Sequence, residues 1–170
     1  MPIPQLYMLY MRFLPVLRRG PDAQADIFGG EANPRLRGTV RFYQTPQGVL
    51  VLAEVSGLPD TGERCKDSIF AFHIHSGGTC SGSADDPFRD AQGHYHPENC
   101  PHPAHAGDMP PLFSNKGYAA QAFLTGRFTV RDIIGRTVII HAGTDDFTSQ
   151  PAGNAGARIA CGVIRRPGCR

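Results

Sequence analysis

All seven histidines of this 170-residue chain fall between positions 73 and 141. They stand as His73-Ile-His75, His94-Tyr-His96, His102, His105 and His141, and Asp108 closes the run His105-Ala-Gly-Asp108. Imidazole and carboxylate are the usual protein donors to zinc and copper, and donors two or three residues apart let one stretch of backbone hold several around a single ion. The pattern outlines a metal site, and whatever fold the chain adopts has to bring these groups together.

Composition narrows that fold. With 20 Gly and 15 Pro and no long run of strong helix formers, the chain is predicted to be all-β and rich in turns, and its length suits one domain with a sizeable core. A formal net charge of +2, without a basic block interleaved with aromatics, gives no ground for a nucleic-acid or membrane partner. Residues 1–36 read as an N-terminal extension, flexible or forming a short helix, ahead of a barrel domain over residues 37–170. Leu6 to Met11 is apolar, but Arg12 ends the run and no basic residue precedes it. That makes a poor export signal, and the run is too short to span a membrane.

From Gly38 onward the periodicity is that of strands: Thr39 to Gln44, Gly48 to Val55, Ser68 to His75, Tyr118 to Phe123, Phe128 to Val130, Gly135 to His141 and Arg158 to Ile164. Short strands divided by turn residues predict a sandwich or Greek-key barrel. Ser76 to Ser114 and Ala142 to Ala157 are long loops that carry or border the histidines, and long loops of this kind are usually functional or disordered. On a strand, His73 and His75 leave one face while Phe72 and Ile74 turn to the other. His94, His102, His105 and Asp108 supply three nitrogens and one oxygen, which suits closed tetrahedral zinc. His141 can join His73 and His75 in a nitrogen-rich site that suits copper.

Five segments, in order, resemble the motifs of the Cu/Zn superoxide dismutases: Phe72-His-Ile-His75; Gly93-His94-Tyr-His-Pro97; His105-Ala-Gly-Asp108; Gly135-Arg-Thr-Val-Ile-Ile-His141 with Asp145-Asp146; and Gly153 to Ile164. The likeness runs from about Arg37 to Ile164 and is to the bacterial type, with a shortened electrostatic loop. It implies an all-β, Greek-key β-sandwich or barrel of immunoglobulin-like type with two long functional loops. It further implies a superoxide dismutase that turns superoxide into O₂ and hydrogen peroxide. Copper would be held by His73, His75, His94 and His141, and zinc by His94, His102, His105 and Asp108, with His94 bridging the two metals. Asp145 would accept hydrogen bonds from His73 and His102, Arg158 would orient the anion beside copper, and Cys80 would be disulfide-bonded to Cys161.

Other readings stand beside these. A non-enzymatic copper- and zinc-binding barrel, serving storage, delivery or structure, uses the same ligands. His96 reads as a packed or surface residue, Arg158 could serve as a surface ion-pair residue, and Asp146 as a brace of its loop. Cys100 suits a thiolate ligand, a second bridge or a free thiol, and Cys65 and Cys169 have no assigned role. Gln150-Pro-Ala-Gly153 stands where the family usually carries cleft-mouth lysine and threonine, which puts long-range steering of the anion in question. The expected compartment is the cytoplasm, with secretion or cell-surface display by a non-standard signal as the alternative. The chain is expected to act as a monomer or homodimer.

Overall fold

In a computed structural model of the chain, which describes residues 13–60, 62–63 and 68–168, period-two burial along the strands dictates the architecture. The strands are β1 Ala23–Gly29, β2 Arg37–Thr45, β3 Gly48–Ser56, β4 Ile69–Phe70, β5 Phe72–His75, β6 Leu112–Phe113, β7 Tyr118–Thr125, β8 Thr137–His141 and β9 Arg158–Val163. Seven form one antiparallel sheet in the order β5-β8-β9-β1-β2-β3-β7, while β4 pairs with β6. After the β2–β3 hairpin the chain passes through β4 to β5 at the opposite edge, and β7 returns to lie beside β3. These are Greek-key connections. Ile27, Val40, Phe42 and Val51 share one core with Phe72, Ile74, Val138 and Ile140. Both ends of the sheet therefore face the same interior, and the sheet curls into a barrel.

Three expectations change. Residues 23–36 belong to the barrel, not to an extension: β1 lies between β2 and β9, in register from Ala23↔Phe42 to Phe28↔Arg37, and Leu36 is fully buried. Ala23 and Ala25 are weak strand formers, but they fit a crowded interior between two neighbouring strands. Residues 13–18 before it are helical, and residues 1–12 lie outside the described residues. Phe128 to Val130 is not a strand but the approach to a helical turn, Val130–Ile133. There Thr129 donates to Asp132 Oδ2 from both its N–H (2.8 Å) and its hydroxyl (2.7 Å), an N-terminal cap that the short apolar run concealed. Finally, the predicted strand Ser68 to His75 is divided at Ala71 into β4 and β5.

The outer face of β5, β8 and β9 is where the loops settle. His73 stands opposite Ile139, and Ile139 opposite Cys161; directly opposed residues share a face. Ile139 and Cys161 pack outward against Phe88 and Ala91 of the loop that follows β5. Cys80 of that loop is bonded to Cys161, with Cα atoms 5.7 Å apart.

Candidate metal centre

β5 presents His73 and His75 on its outer face, and the following loop folds back along it. Tyr95 N–H donates to Ile74 O (2.8 Å) and Ile74 N–H to Gly107 O (2.9 Å), so the loop runs as an added edge with His94 opposite His75 and Asp108 opposite His73. A side chain at Gly107 would collide with the Ile74 carbonyl; the loop can lie this close only with glycine there. His141, at the end of β8, completes the gathering. Two groups of donors result, His73, His75, His94 and His141, and His94, His102, His105 and Asp108. Within each group the donor atoms lie within 4.8 Å of one another.

Acceptor-only partners set the ring tautomers. His75 Nδ1 donates to Gln92 O (2.7 Å) and His141 Nδ1 to Gly156 O (3.1 Å), which leaves the lone pair of each on Nε2; these two Nε2 atoms are 3.3 Å apart. Asp145 accepts from His73 Nε2 at Oδ2 (2.8 Å) and from His102 Nε2 at Oδ1 (2.9 Å), so both of those rings turn Nδ1 toward the donor groups. His94 Nδ1 lies 2.8 Å from Asp108 Oδ1, and His105 Nδ1 lies 3.3 Å from His94 Nδ1. Three buried nitrogens, His73 Nδ1, His94 Nε2 and His102 Nδ1, make no hydrogen bond, although His102 Nδ1 is 3.0 Å from Asp108 Oδ2. An orphaned buried polar atom costs about 1–3 kcal/mol. Three of them aimed at the same two points fit bound cations, and the donor chemistry, four nitrogens beside three nitrogens and an oxygen, fits copper and zinc.

The titrating groups sit in their metal-binding forms. Burial holds His75 well below the ordinary imidazole range, with His141 adding to it, and burial takes His141 down to about 3. Burial also lowers His73 and His105, although Asp145 and Asp108 respectively pull the other way. Burial alone would raise the Asp145 carboxyl, but hydrogen bonds from His73, Phe147 N–H and His102 outweigh it and hold it at about 2. Asp108 is likewise lowered against its burial, chiefly by His94. Neutral imidazoles and ionised carboxylates are what a cation requires.

Asp145 is 2 % exposed and sits in the second long loop. Gly153, at φ 67°, packs against it, and a methyl group there would overlap both the Asp145 carboxylate and His102. Asp146 braces the same loop, accepting from Thr148 N–H, Ser149 N–H and the Ser149 hydroxyl at 2.9, 2.8 and 2.6 Å. Arg158 lines a cleft of about 670 Å³ together with His75, His94 and His141. Its guanidinium donates from Nη1 to Phe88 O (2.8 Å) and from Nη2 to Gln92 O (2.9 Å). His96 is exposed and stands outside both donor groups, its ring 5.0 Å from that of His105. Cys100 is a free, half-buried thiol on the cleft wall, also outside both groups. Cys65 and Cys169 lie outside the described residues.

Three contributors escaped the sequence reading. Gln150 clamps the His102 backbone, accepting from its N–H at 3.1 Å and donating to its carbonyl at 2.6 Å. Arg127 Nη1 donates to the carbonyls of Pro103, His105 and Asp108 at 3.0, 3.2 and 3.3 Å. Gln92 O serves His75 and Arg158 at once. Side-chain type alone signals none of these roles, because each joins a backbone group to a side chain distant in sequence.

A Greek-key barrel that carries two donor groups sharing one imidazole, with the Arg158 guanidinium in the cleft beside them, fits a dinuclear metal centre. A family model described as copper/zinc superoxide dismutase matches residues 36–164. Superoxide dismutase [Cu-Zn] 2 of Aquifex aeolicus is 37% identical over 158 residues, covering 84% of this chain and 86% of that one. The superoxide dismutase [Cu-Zn] of Legionella pneumophila is 34% identical over 152 residues, 85% of this chain and 87% of its own. Among solved structures, the Cu/Zn superoxide dismutase from Brucella abortus superposes with a TM-score of 0.68 at 26% identity, over 83% of this chain and 98% of that chain. This chain belongs to the copper/zinc superoxide dismutase family.

Proposed function

We propose that His73, His75, His94 and His141 hold copper, that His94, His102, His105 and Asp108 hold zinc, and that superoxide is dismutated in the cleft beside Arg158. The observation that carries this reading is His94. Its Nδ1 faces Asp108, its Nε2 is buried and without a hydrogen bond, and the residue is common to both donor groups.

Bound copper supplies one-electron exchange, by which one superoxide is oxidised to O₂ and a second, with two protons, is reduced to hydrogen peroxide. Zinc, which keeps one oxidation state, supplies a fixed charge that orders the loop around it. The chain's own groups do the rest. His94 Nε2 would hold a proton whenever its lone pair is free and pass it to the product, while Asp108, His102 and His105 would keep the ring in place. Asp145 ties His73 to His102 and so sets the ring orientation in both groups. Arg158 presents a planar, permanently charged donor to a small anion. Every one of these groups comes from one chain, so a monomer or a homodimer would offer the complete site, and the modest net charge of +2 calls for no nucleic-acid or membrane partner.

The non-enzymatic metal-binding barrel is not favoured, because neither a donor nor Arg158 is missing. Reconstituted protein should bind one copper and one zinc per chain and accelerate superoxide decay. Cobalt in the zinc group should couple magnetically to Cu(II) through His94; independent signals from the two ions would refute the shared imidazole.

A further inference from the structure

Arg158 has five N–H donors, and the cleft already engages three of them. Nη1 donates to Phe88 O at 2.8 Å and to Asp86 Oδ2 at 3.3 Å, while Nη2 donates to Gln92 O at 2.9 Å. Two of these acceptors are backbone carbonyls, which aim the guanidinium without cancelling its charge. The third is a carboxylate. Asp86 is held where it is by its own turn: Ser83 N–H and Arg89 N–H both donate to its carbonyl, at 2.9 and 3.2 Å, and its N–H donates to the Ser83 hydroxyl at 3.3 Å. Its side chain is 39% exposed against 20% for Arg158, and both residues line the cleft that holds His75, His94 and His141.

We propose that Asp86 sets the anion affinity of the cleft by competing with superoxide for Arg158. The inference rests on the dismutase reading above. An incoming anion must either use the remaining Nη2 and Nε hydrogens with Asp86 beside it, or displace Asp86 from Nη1. In both cases a fixed negative charge stands well inside the screening length of about 8 Å at physiological ionic strength. Asp86 is therefore a specificity-determining residue. It tempers the attraction of Arg158, so that small anions are released readily and those that offer only charge are held weakly.

The test compares copper- and zinc-loaded wild type with Asp86→Asn, which keeps an acceptor oxygen for Arg158 and removes only the charge. Azide, a small anion that perturbs the Cu(II) absorption spectrum on binding, is the probe. Asp86→Asn should lower the azide dissociation constant roughly fivefold at low salt, and the gain should shrink as ionic strength rises. The rate constant for superoxide decay should rise in parallel. Asp85→Asn is the control: Asp85 lines the same cleft but is not among the hydrogen-bond or ion-pair partners of Arg158 in the described residues, and its variant should shift azide binding by less than half as much. Unchanged or weaker azide binding in Asp86→Asn, with metal content and melting temperature intact, would overturn the proposal, as would equal effects from the two variants. Fully loaded wild type that neither bound azide at copper nor consumed superoxide would instead overturn the dismutase reading, and this proposal with it.

Discussion

Replacing both Cys80 and Cys161 by serine removes a crosslink between residues separated by 81 positions. In the chain-entropy model, closing a loop of that length restricts the unfolded chain by about 4.5 kcal/mol at 25 °C. For a chain of this size each kcal/mol moves the melting temperature by roughly 2–4 °C. Residual structure in the unfolded state reduces the gain, so the metal-free double variant should melt about 10 °C below the metal-free parent. Metal-free protein is the right sample because ions bound to the native state add stability by mass action and mask the difference. Serine variants are preferable to chemical reduction because Cys100 is already a free thiol and invites exchange. A second effect is local. Cys80 opens the segment whose Phe88 and Gln92 carbonyls hold Arg158, and Phe88 packs directly on Cys161. Loaded double variant should therefore keep its metal stoichiometry, since β5 carries His73 and His75 and the backbone ladder through Ile74, Tyr95 and Gly107 holds the loop donors against it, yet bind azide more weakly. Calorimetry of the metal-free pair and azide titration of the loaded pair read the two effects. A melting shift below about 3 °C would refute the loop-closure argument, and unchanged azide affinity would refute the link to Arg158.

Arg158→Ala should leave copper and zinc content intact and lower the superoxide rate constant roughly tenfold, since one charge-assisted contact is worth about 1.5 kcal/mol or somewhat more. Arg158→Lys should recover part of the loss; metal analysis beside a superoxide-decay assay checks both. The metal-free fold should also lose stability as pH falls. His73, His75, His105 and His141 all have folded values below the ordinary 6.5, His141 at about 3, so below 6.5 the unfolded chain binds more protons than the folded one. Asp108 and Asp145 are lowered from 3.8, the latter to about 2, which extends the same trend to lower pH. The urea midpoint of metal-free protein should accordingly be lower at pH 5 than at pH 7, and a midpoint that held or rose would contradict the buried, neutral state of the imidazoles.

The parts of the site that were legible in the sequence are those in which side-chain type and local period carry the information together. His73-Ile-His75 is one such part: a strand turns alternate residues to one face, and Phe72 and Ile74 do enter the core while the two imidazoles meet on the outside. The loop donors were legible as a group, but what brings them to β5 is a backbone ladder through Ile74, Tyr95 and Gly107, and only the glycine hints at it. β1 was lost because a strand of small residues draws its stability from having neighbours on both edges, a tertiary effect that local propensity does not contain.

Gln92 marks the limit of such reading most sharply. Its backbone, at φ 64° and ψ −153°, occupies a region populated almost solely by glycine, and strain of that kind persists only where the surroundings impose it. What the conformation achieves is the placement of one carbonyl, which accepts from His75 Nδ1 at 2.7 Å and from Arg158 Nη2 at 2.9 Å. The first bond leaves Nε2 as the His75 nitrogen with a free lone pair, and the second aims the guanidinium into the cleft. The His75 tautomer and the Arg158 orientation are thus coupled through a single oxygen whose role owes nothing to the glutamine side chain. A sequence reports side chains, so a function carried by a main-chain carbonyl in an unusual conformation becomes visible only when the backbone is.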